Sequence, residues 1–534
     1  MATRDLFVRH LFAGGWARDF GPVTEATPDD AGYLRLPFLV EAENVVFEYD
    51  GGPRKMPGTS KLNAAVMESG AVVKGIFDYW ITGTSGTPSN KRVVHVSTKV
   101  KKDDADGTFG DIITGLTSGA VPCYAVLDDL LILVNGTDSN RKWDGTTAGT
   151  LTADPGTLGM VTVHKNRMWG AGNNANPSRL FYSRANNADD WTGAGSGTID
   201  INPDDGDGIT GLASHKGELF VFKGPYKGSI HRVAGGAPSE FSVIPFVKGL
   251  GAIWHNTIFY YRDDIGFMSQ DGSIHSLNAT AAYGDFAEAA LSRPITTWIR
   301  EHVNFGRLKH AWAAHWPEMG LVLFTVAIDA STNNNCVLAM DYRFGETTVS
   351  EHTVSTRWAK WPAIAAGCLA EVIDTASSNR RLVMAGGNDG YVRKLGQTAR
   401  SIDTSTAIAM NVQTPYIAYT SPLMMKSIRA LSLGIKPRNE GNITVGWTRD
   451  IAAQQTVTIS QGGVGDTLAP SSSPFTLDTS ALGGGIFIDR FSDEPTGEFR
   501  SIQYQITNGV LDEDVEVHTL GAVIQRGSES TENS

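Results

Sequence analysis

Residues 179–191 read RLFYSRANNADDW, and residues 206–224 read GDGITGLASHKGELFVFKG. Leu180 to Ser183 and Glu218 to Phe222 have the look of strands, and an Asp/Asn/Gly-rich connection carrying Trp191 separates them. The second run is one arm of a hairpin: Ile209 to Ala213 turns at His215-Lys216-Gly217 into Leu219 to Phe222. β-Branched and aromatic residues alternating between Gly, Asn and Asp clusters predict short antiparallel strands. The hairpin recurs along the chain with unrelated side chains. What repeats is therefore architecture rather than a catalytic motif.

Hairpins are predicted at Val73–Ser97, Tyr124–Val134, Val161–Gly170, Leu212–Phe222, Ile253–Tyr261, Trp312–Val326 and Cys368–Ala385. Their turns fall at a Gly/Ser/Pro-rich loop, Asp128-Asp129, Lys165-Asn166, Lys216-Gly217, His255-Asn256, Pro317-Glu318-Met319 and Ser377-Ser378-Asn379. Three are followed by a further turn, at Asp144-Gly145, Asp271-Gly272 and Asp389-Gly390. A spacing of roughly 40 to 60 residues fits one four-stranded propeller blade per repeat. The expectation is an all-β chain: a six- or seven-bladed β-propeller over 71–400, with an N-terminal arm and strand over 1–70. A C-terminal β-sandwich follows over 401–526, and a polar, disordered tail over 527–534.

Within the N-terminal arm, Asn44 to Tyr49 reads as a strand, Asp50-Gly51-Gly52 as a turn and Arg54 to Pro57 as an extended arm. The strand Asn44 to Tyr49 is expected to complete a blade begun by the C-terminal repeat. Ala279 to Val303 has apolar residues three and four apart and predicts one or two short inserted helices.

Composition bounds the function. The chain has 534 residues, 59 of them glycine, against an average of about 7%. Its three cysteines, Cys123, Cys336 and Cys368, form no CxxC pair and no disulfide framework. The first residues have no continuous apolar core of the secretory type, and the most apolar run, Gly320 to Ile328, is too short to span a bilayer. A chain without a membrane-spanning segment, made in the cytoplasm, is expected. A net charge of −12 argues against gripping nucleic acid by its phosphates, though not against letting it slide past.

Site chemistry is sparse. Asp204-Asp205-Gly206-Asp207-Gly208 and Asp103-Asp104-Ala105-Asp106-Gly107 resemble pieces of a calcium loop but lack the terminal glutamate, so they read as Asx turns. His164, His215 and His255 sit beside turns without HxH or HxxxH spacing and read as surface histidines. No GxSxG, HExxH or GxxxxGK[ST] occurs. Ser269-Gln270-Asp271-Gly272 begins like a sialidase repeat and then departs from it, while Trp143-Asp144 is an isolated WD. Trp80, Trp143, Trp191, Trp358 and Trp361 suit core or interface as well as a sugar groove. The expectation is no catalytic, cofactor-binding or metal residue, no cofactor and no enzymatic activity. A carbohydrate-binding or carbohydrate-hydrolysing propeller, such as a receptor-binding protein, is the alternative.

Four places carry a family resemblance. They are NVVFEYDGGPRKMPGTSKL (44–62); RLFYSRANNADDW with TIDINPDDGDGITGL (198–212); LFVFKGPYKGSIHRV (219–233) with TIFYYRDDIGFMSQDGSI (257–274); and NNNCVLAMDYRF (333–344), GNDGYVRKL (387–395) and MMKSIRALSL (424–433). In this order they resemble the β-propeller tail proteins of tailed bacteriophages: the tail nozzle and hub proteins of short-tailed phages, once called tail tubular or DNA-stabilisation proteins. The resemblance implies a virion structural protein of the tail. It implies a homo-oligomeric ring, commonly of six copies, that meets the portal adaptor or other tail proteins. Such a ring retains the packaged genome and conducts it during ejection without reading its sequence. The inserted domains of longer nozzle proteins have no counterpart here, which leaves nozzle and hub positions both open. The basic clusters Arg54-Lys55 and Lys99 to Lys102 are then expected at subunit contacts or on the outside.

Overall fold

A computed structural model describes the chain apart from residues 1–5, 13–14, 20–22, 25–32, 37, 50, 83–87, 104–106, 279, 281–289, 344–346, 350–351, 355, 376–377, 420–421, 437, 439–440, 451, 462–486, 491–497 and 527–534. The expected polar tail and part of the helical insert therefore lie outside the described residues. The protein is all-β, 54% strand and 7% helix, with its strands gathered into many small sheets. It divides into two units. One holds 61–338 and 364–395, and the other 1–60, 339–363 and 396–534.

The 61–395 unit is a succession of antiparallel sheets, each beginning with a predicted hairpin or close to one. The first is Val73–Ile81, Ser89–Val96, Lys99–Asp103 and Phe109–Ile113. The second is Cys123–Leu127, Leu130–Val134, Arg141–Trp143 and Ala148–Thr150. The third is Met160–His164, Arg167–Ala171, Arg179–Tyr182 and Gly197–Asp200. The fourth is Gly208–His215, Glu218–Gly224, Ser229–Ala234 and Ser242–Lys248. Phe259–Tyr261, Asp264–Met268 and Ile274–Ser276 make a three-stranded fifth. Trp312–Trp316 with Leu321–Val326 opens the sixth, and Ala366–Asp374 with Arg380–Gly387 opens the seventh.

Several hairpins turn through the same geometry. Asp128-Asp129, Lys165-Asn166, Lys216-Gly217, Arg262-Asp263 and Ser378-Asn379 all have positive φ at both central residues. That is the type I′ turn, whose twist matches that of the flanking strands. The fifth sheet corrects the Ile253–Tyr261 prediction. His255–Thr257 is a 3₁₀ turn, and the hairpin lies one strand later, Phe259–Tyr261 against Asp264–Met268.

The leading strands lie side by side in chain order, except that Gly208–His215 of the fourth sheet meets the His255–Thr257 turn and Asp264–Met268 of the fifth, and the leading strand of the seventh returns to that of the first. Side chains lock this last contact. Ile373 N donates to Asp78 Oδ2 (3.1 Å), and Arg92 lies 3.5 Å from Asp103 and 3.6 Å from Asp374, all three buried. At the outer side of the seventh sheet, Leu62 N donates to the Val392 carbonyl (2.8 Å) and Val392 N to Asn63 Oδ1 (2.8 Å). Early residues thus run beside a late strand, but they are Leu62 and Asn63 rather than Asn44 to Tyr49.

The second unit corrects the expected boundaries, because the N-terminal arm is built into the same body as the C-terminal strands. Leu6–Phe12 pairs antiparallel with Val517–Arg526, which pairs with Lys426–Ile435. A second sheet sets Ile502–Asn508 between Gly441–Arg449 and Met410–Gln413, and Glu41–Glu43 pairs with Met410–Gln413 in turn. Arg357–Trp361, expected inside the propeller, joins Glu41–Glu43 instead, with Lys360 Nζ 2.9 Å from Glu41 and 3.0 Å from Glu43. The stretch Val45–Phe47 forms its own hairpin with Pro53–Lys55, so the arm expected at Arg54 is itself a paired strand.

Candidate functional site

Leading strands of the 61–395 unit line an open pocket of about 380 Å³, a size typical of small-molecule sites. Its wall comes from the first, second, sixth and seventh sheets and from the 3₁₀ turn His255–Thr257. Ile76, Phe77, Trp312 and Leu369 give it apolar surface, and Asp78, Tyr124, His255, Asn256 and Glu371 give it polar surface.

Each polar group has a defined state. Asp78 accepts three hydrogen bonds, from the Trp80 indole (2.9 Å), the Asn90 amide (2.6 Å) and Ile373 N (3.1 Å). It is held as an acceptor with little spare capacity. Burial pushes the Glu371 carboxyl above the usual carboxylate range. The paired Arg381 guanidinium works against that rise, and the nearby Asp78 charge adds to it. Burial lowers the His255 pKa to about 4. Leu212 N donates to His255 Nδ1 (3.3 Å), so the neutral ring carries its proton on Nε2 and presents a donor there. Asn256 is buried, and its amide nitrogen reaches the Pro122 carbonyl only at 3.4 Å.

The sequence candidates go elsewhere. Asp207 is buried and its carboxylate caps Tyr226 N, Lys227 N and Gly228 N at 2.8–2.9 Å. Asp205 lies 2.7 Å from the fully buried Lys223 ammonium, which also donates to the Ile201 and Asn202 carbonyls. The acidic turn is thus a structural Asx network, as expected of it. In the other acidic run, residues 104–106 are outside the described residues, while Asp103 Oδ1 accepts from Gly107 N (2.9 Å). His164 is buried rather than on the surface. It bonds Ser214 Oγ (2.8 Å), and burial lowers its pKa to about 4. Trp143, Trp191, Trp358 and Trp361 are buried core residues. Among the described residues no group of three or more His, Cys, Asp or Glu is arranged to hold a metal ion. No helix among them is long and apolar enough to cross a membrane.

The basic clusters are paired within the chain, with Lys99 and Arg54 partly exposed. Lys99 and Lys101 share Glu68 and Asp111. Arg54 holds Asp514 (2.5 Å) and Glu48 (3.0 Å). Lys55 is fully buried and donates to Asn508 Oδ1 and the Val510 carbonyl, each at 2.8 Å.

Sequence reasoning missed Asp78 and Glu371. Each is an acid interrupting an apolar leading strand, in VKGIFDYWI and AGCLAEVID, and that interruption was the available signal.

No protein-family model matches the chain, and no curated protein does either. Among solved structures it is similar to the extracellular domain of a one-component system protein from B. thetaiotaomicron: 9% identity, TM-score 0.38, 73% of this chain and 45% of that one. The chain thus spans under half the length of that relative. It is also similar to BBS1N in complex with ARL6DN, at 10% identity and TM-score 0.39, covering 64% of this chain and 96% of that one. A family 43 arabinoxylan arabinofuranohydrolase from Bacillus subtilis shows 11% identity and TM-score 0.24, over 88% of this chain and 99% of that one. Likenesses this weak carry no argument about activity.

Proposed function

We propose that the chain is a structural protein of a bacteriophage tail. It is a seven-bladed β-propeller joined to a β-sandwich, and it assembles, most simply as six copies, into a nozzle or hub ring. The ring meets the portal adaptor or other tail proteins in the virion, retains the packaged DNA and conducts it at ejection, with no covalent chemistry. The cycle of leading strands, closed from the seventh sheet to the first, supports the propeller. Support for the sandwich comes from the pair of sheets bridged by His10, Tyr419 and Tyr504.

The observation that carries the role is that Arg54, Lys99 and Lys101 of the two basic clusters are each paired with carboxylates of the same chain, whose net charge is −12. Lysines already paired with carboxylates do not hold phosphates, and each phosphate contact avoided removes a salt-sensitive release step from DNA in transit. The test is electron microscopy of the purified protein and of the parent virion with this protein labelled. A ring with a neutral to acidic axial wall is expected. A protein that stays monomeric in the mature particle, or an axial wall of arginine and lysine, would overturn the reading.

The carbohydrate-hydrolysing alternative has one observation in its favour, the carboxylates of Asp78 and Glu371 on one cavity. Glycoside hydrolysis needs one carboxyl free to give a proton and another free to attack or to activate water. Three donors engage Asp78, which weighs against its attacking or activating water, while Glu371 is paired with Arg381 and burial still raises its carboxyl. Polysaccharide turnover abolished by Glu371→Gln would restore the alternative.

A further inference from the structure

We infer that the open pocket lined by the leading strands is a binding site for one neutral sugar ring, recognised by Asn256, His255, Glu371 and Trp312. The inference does not rest on the tail reading, since any propeller with this wall would bind in the same way.

The wall offers what a polyol requires. Every hydroxyl is both donor and acceptor, so a sugar site has to present both kinds of group around one space. The His255 ring, neutral and bonded through Nδ1, supplies the Nε2–H donor. Asn256, more than nine-tenths buried, supplies both an amide donor and a carbonyl acceptor. Its only hydrogen bond to protein among the described residues is the 3.4 Å contact with Pro122. Glu371, on the seventh sheet, supplies carboxyl oxygens, fixed by Arg381. Trp312 and Phe77 supply the apolar surface on which the C–H face of a sugar packs. No lysine or arginine lines the cavity, which disfavours phosphates and carboxylates as ligands. Asp78 lines the same space with three protein donors already on its carboxylate.

The experiment is saturation-transfer NMR with the full chain and D-glucose, D-galactose, D-mannose and N-acetyl-D-glucosamine in turn. Putrescine and inorganic phosphate serve as comparison probes. At least one sugar is expected to show transfer, and Asn256→Ala and Glu371→Gln should each weaken its binding about tenfold. Thermal melting of each variant reports whether it remains folded, and Glu371→Gln keeps the shape of the side chain if Asn256→Ala fails. Transfer to no sugar, transfer unchanged in both folded variants, or transfer only to putrescine or phosphate would each overturn the proposal. None of these outcomes bears on whether the protein forms a ring.

Discussion

Lys55 is an ammonium group with no accessible surface, held by one amide oxygen and one carbonyl. Burial lowers its pKa from 10.5 to about 8, against the pull of Glu513 and Asp514. Between pH 8 and 10.5 the unfolded chain binds this proton more tightly than the folded one. Stability attributable to Lys55 should therefore rise with pH across that window. Denaturant melts of wild type and Lys55→Met at pH 7.5, 9 and 10.5 should show the wild type gaining on the variant, and parallel curves would refute the assignment. Glu516 is the acidic counterpart. Burial alone would raise its carboxyl, but the hydrogen bonds from His518 and Arg438 prevail and bring it from 4.5 to about 2. Its stabilisation is complete above pH 4.5 and is lost as pH falls toward 2. Glu516→Gln should cost on the order of 1–3 kcal/mol at pH 7 and less at pH 3. In the other unit, Arg92→Ala leaves the Asp103 and Asp374 carboxylates buried with one partner fewer. A cost of about 3–5 kcal/mol is expected, read as a fall in Tm with unchanged m-value.

Among the elements, the hairpins were legible and their partners were not. Asp128-Asp129, Lys165-Asn166 and Lys216-Gly217 sit between alternating apolar runs, and a turn needing positive φ twice selects such residues locally. Arg262-Asp263 has the same geometry, one strand after the turn that the sequence suggests at His255-Asn256. Arg357–Trp361 alternates like any strand, and nothing in that alternation says that its Lys360 will pair with Glu41 and Glu43, more than three hundred residues earlier. The cavity was hidden for the same reason: Asp78, His255 and Glu371 come together only when distant strands are set side by side. The acidic turn does yield a prediction at this scale. Asp207 fixes three successive backbone N–H groups and so presents Tyr226, 80% exposed, on a rigid loop. Asp207→Ala should raise hydrogen exchange at Tyr226, Lys227 and Gly228 while leaving the Leu219–Val233 ladder protected. Unchanged exchange at those amides would show that the carboxylate is dispensable.

Over the whole molecule, histidine burial sets a limit on the acid side. His10, His95, His164, His255, His275 and His310 are each lowered to about 4, by burial above all. As pH falls below 6.5 the unfolded chain takes up these protons and the folded chain does not until about pH 4. Stability should therefore fall steeply between those values. His10 shows why neutrality is built in: the Leu520 carbonyl requires a proton on Nδ1, so Nε2 accepts from the Tyr419 hydroxyl, and a second ring proton would break that chain. A melting series from pH 7 to 4 should show the loss, and His10→Asn should reduce it by about a sixth. A Tm independent of pH over that range would contradict the buried state of these rings.

The contact of Leu62 and Asn63 with Val392 has a consequence for synthesis. The two sides are separated by 329 residues, so the first sheet leaves the ribosome long before its neighbour in the seventh exists. At about 5–20 residues per second the wait is on the order of 16–66 s. Throughout it, the open face of Val73–Ile81 and the unpaired backbone near Leu62 have no native cover. A nascent chain released before residue 395 should be soluble only when bound by a chaperone, and protease resistance should arrive abruptly with the last sheet rather than in seven increments.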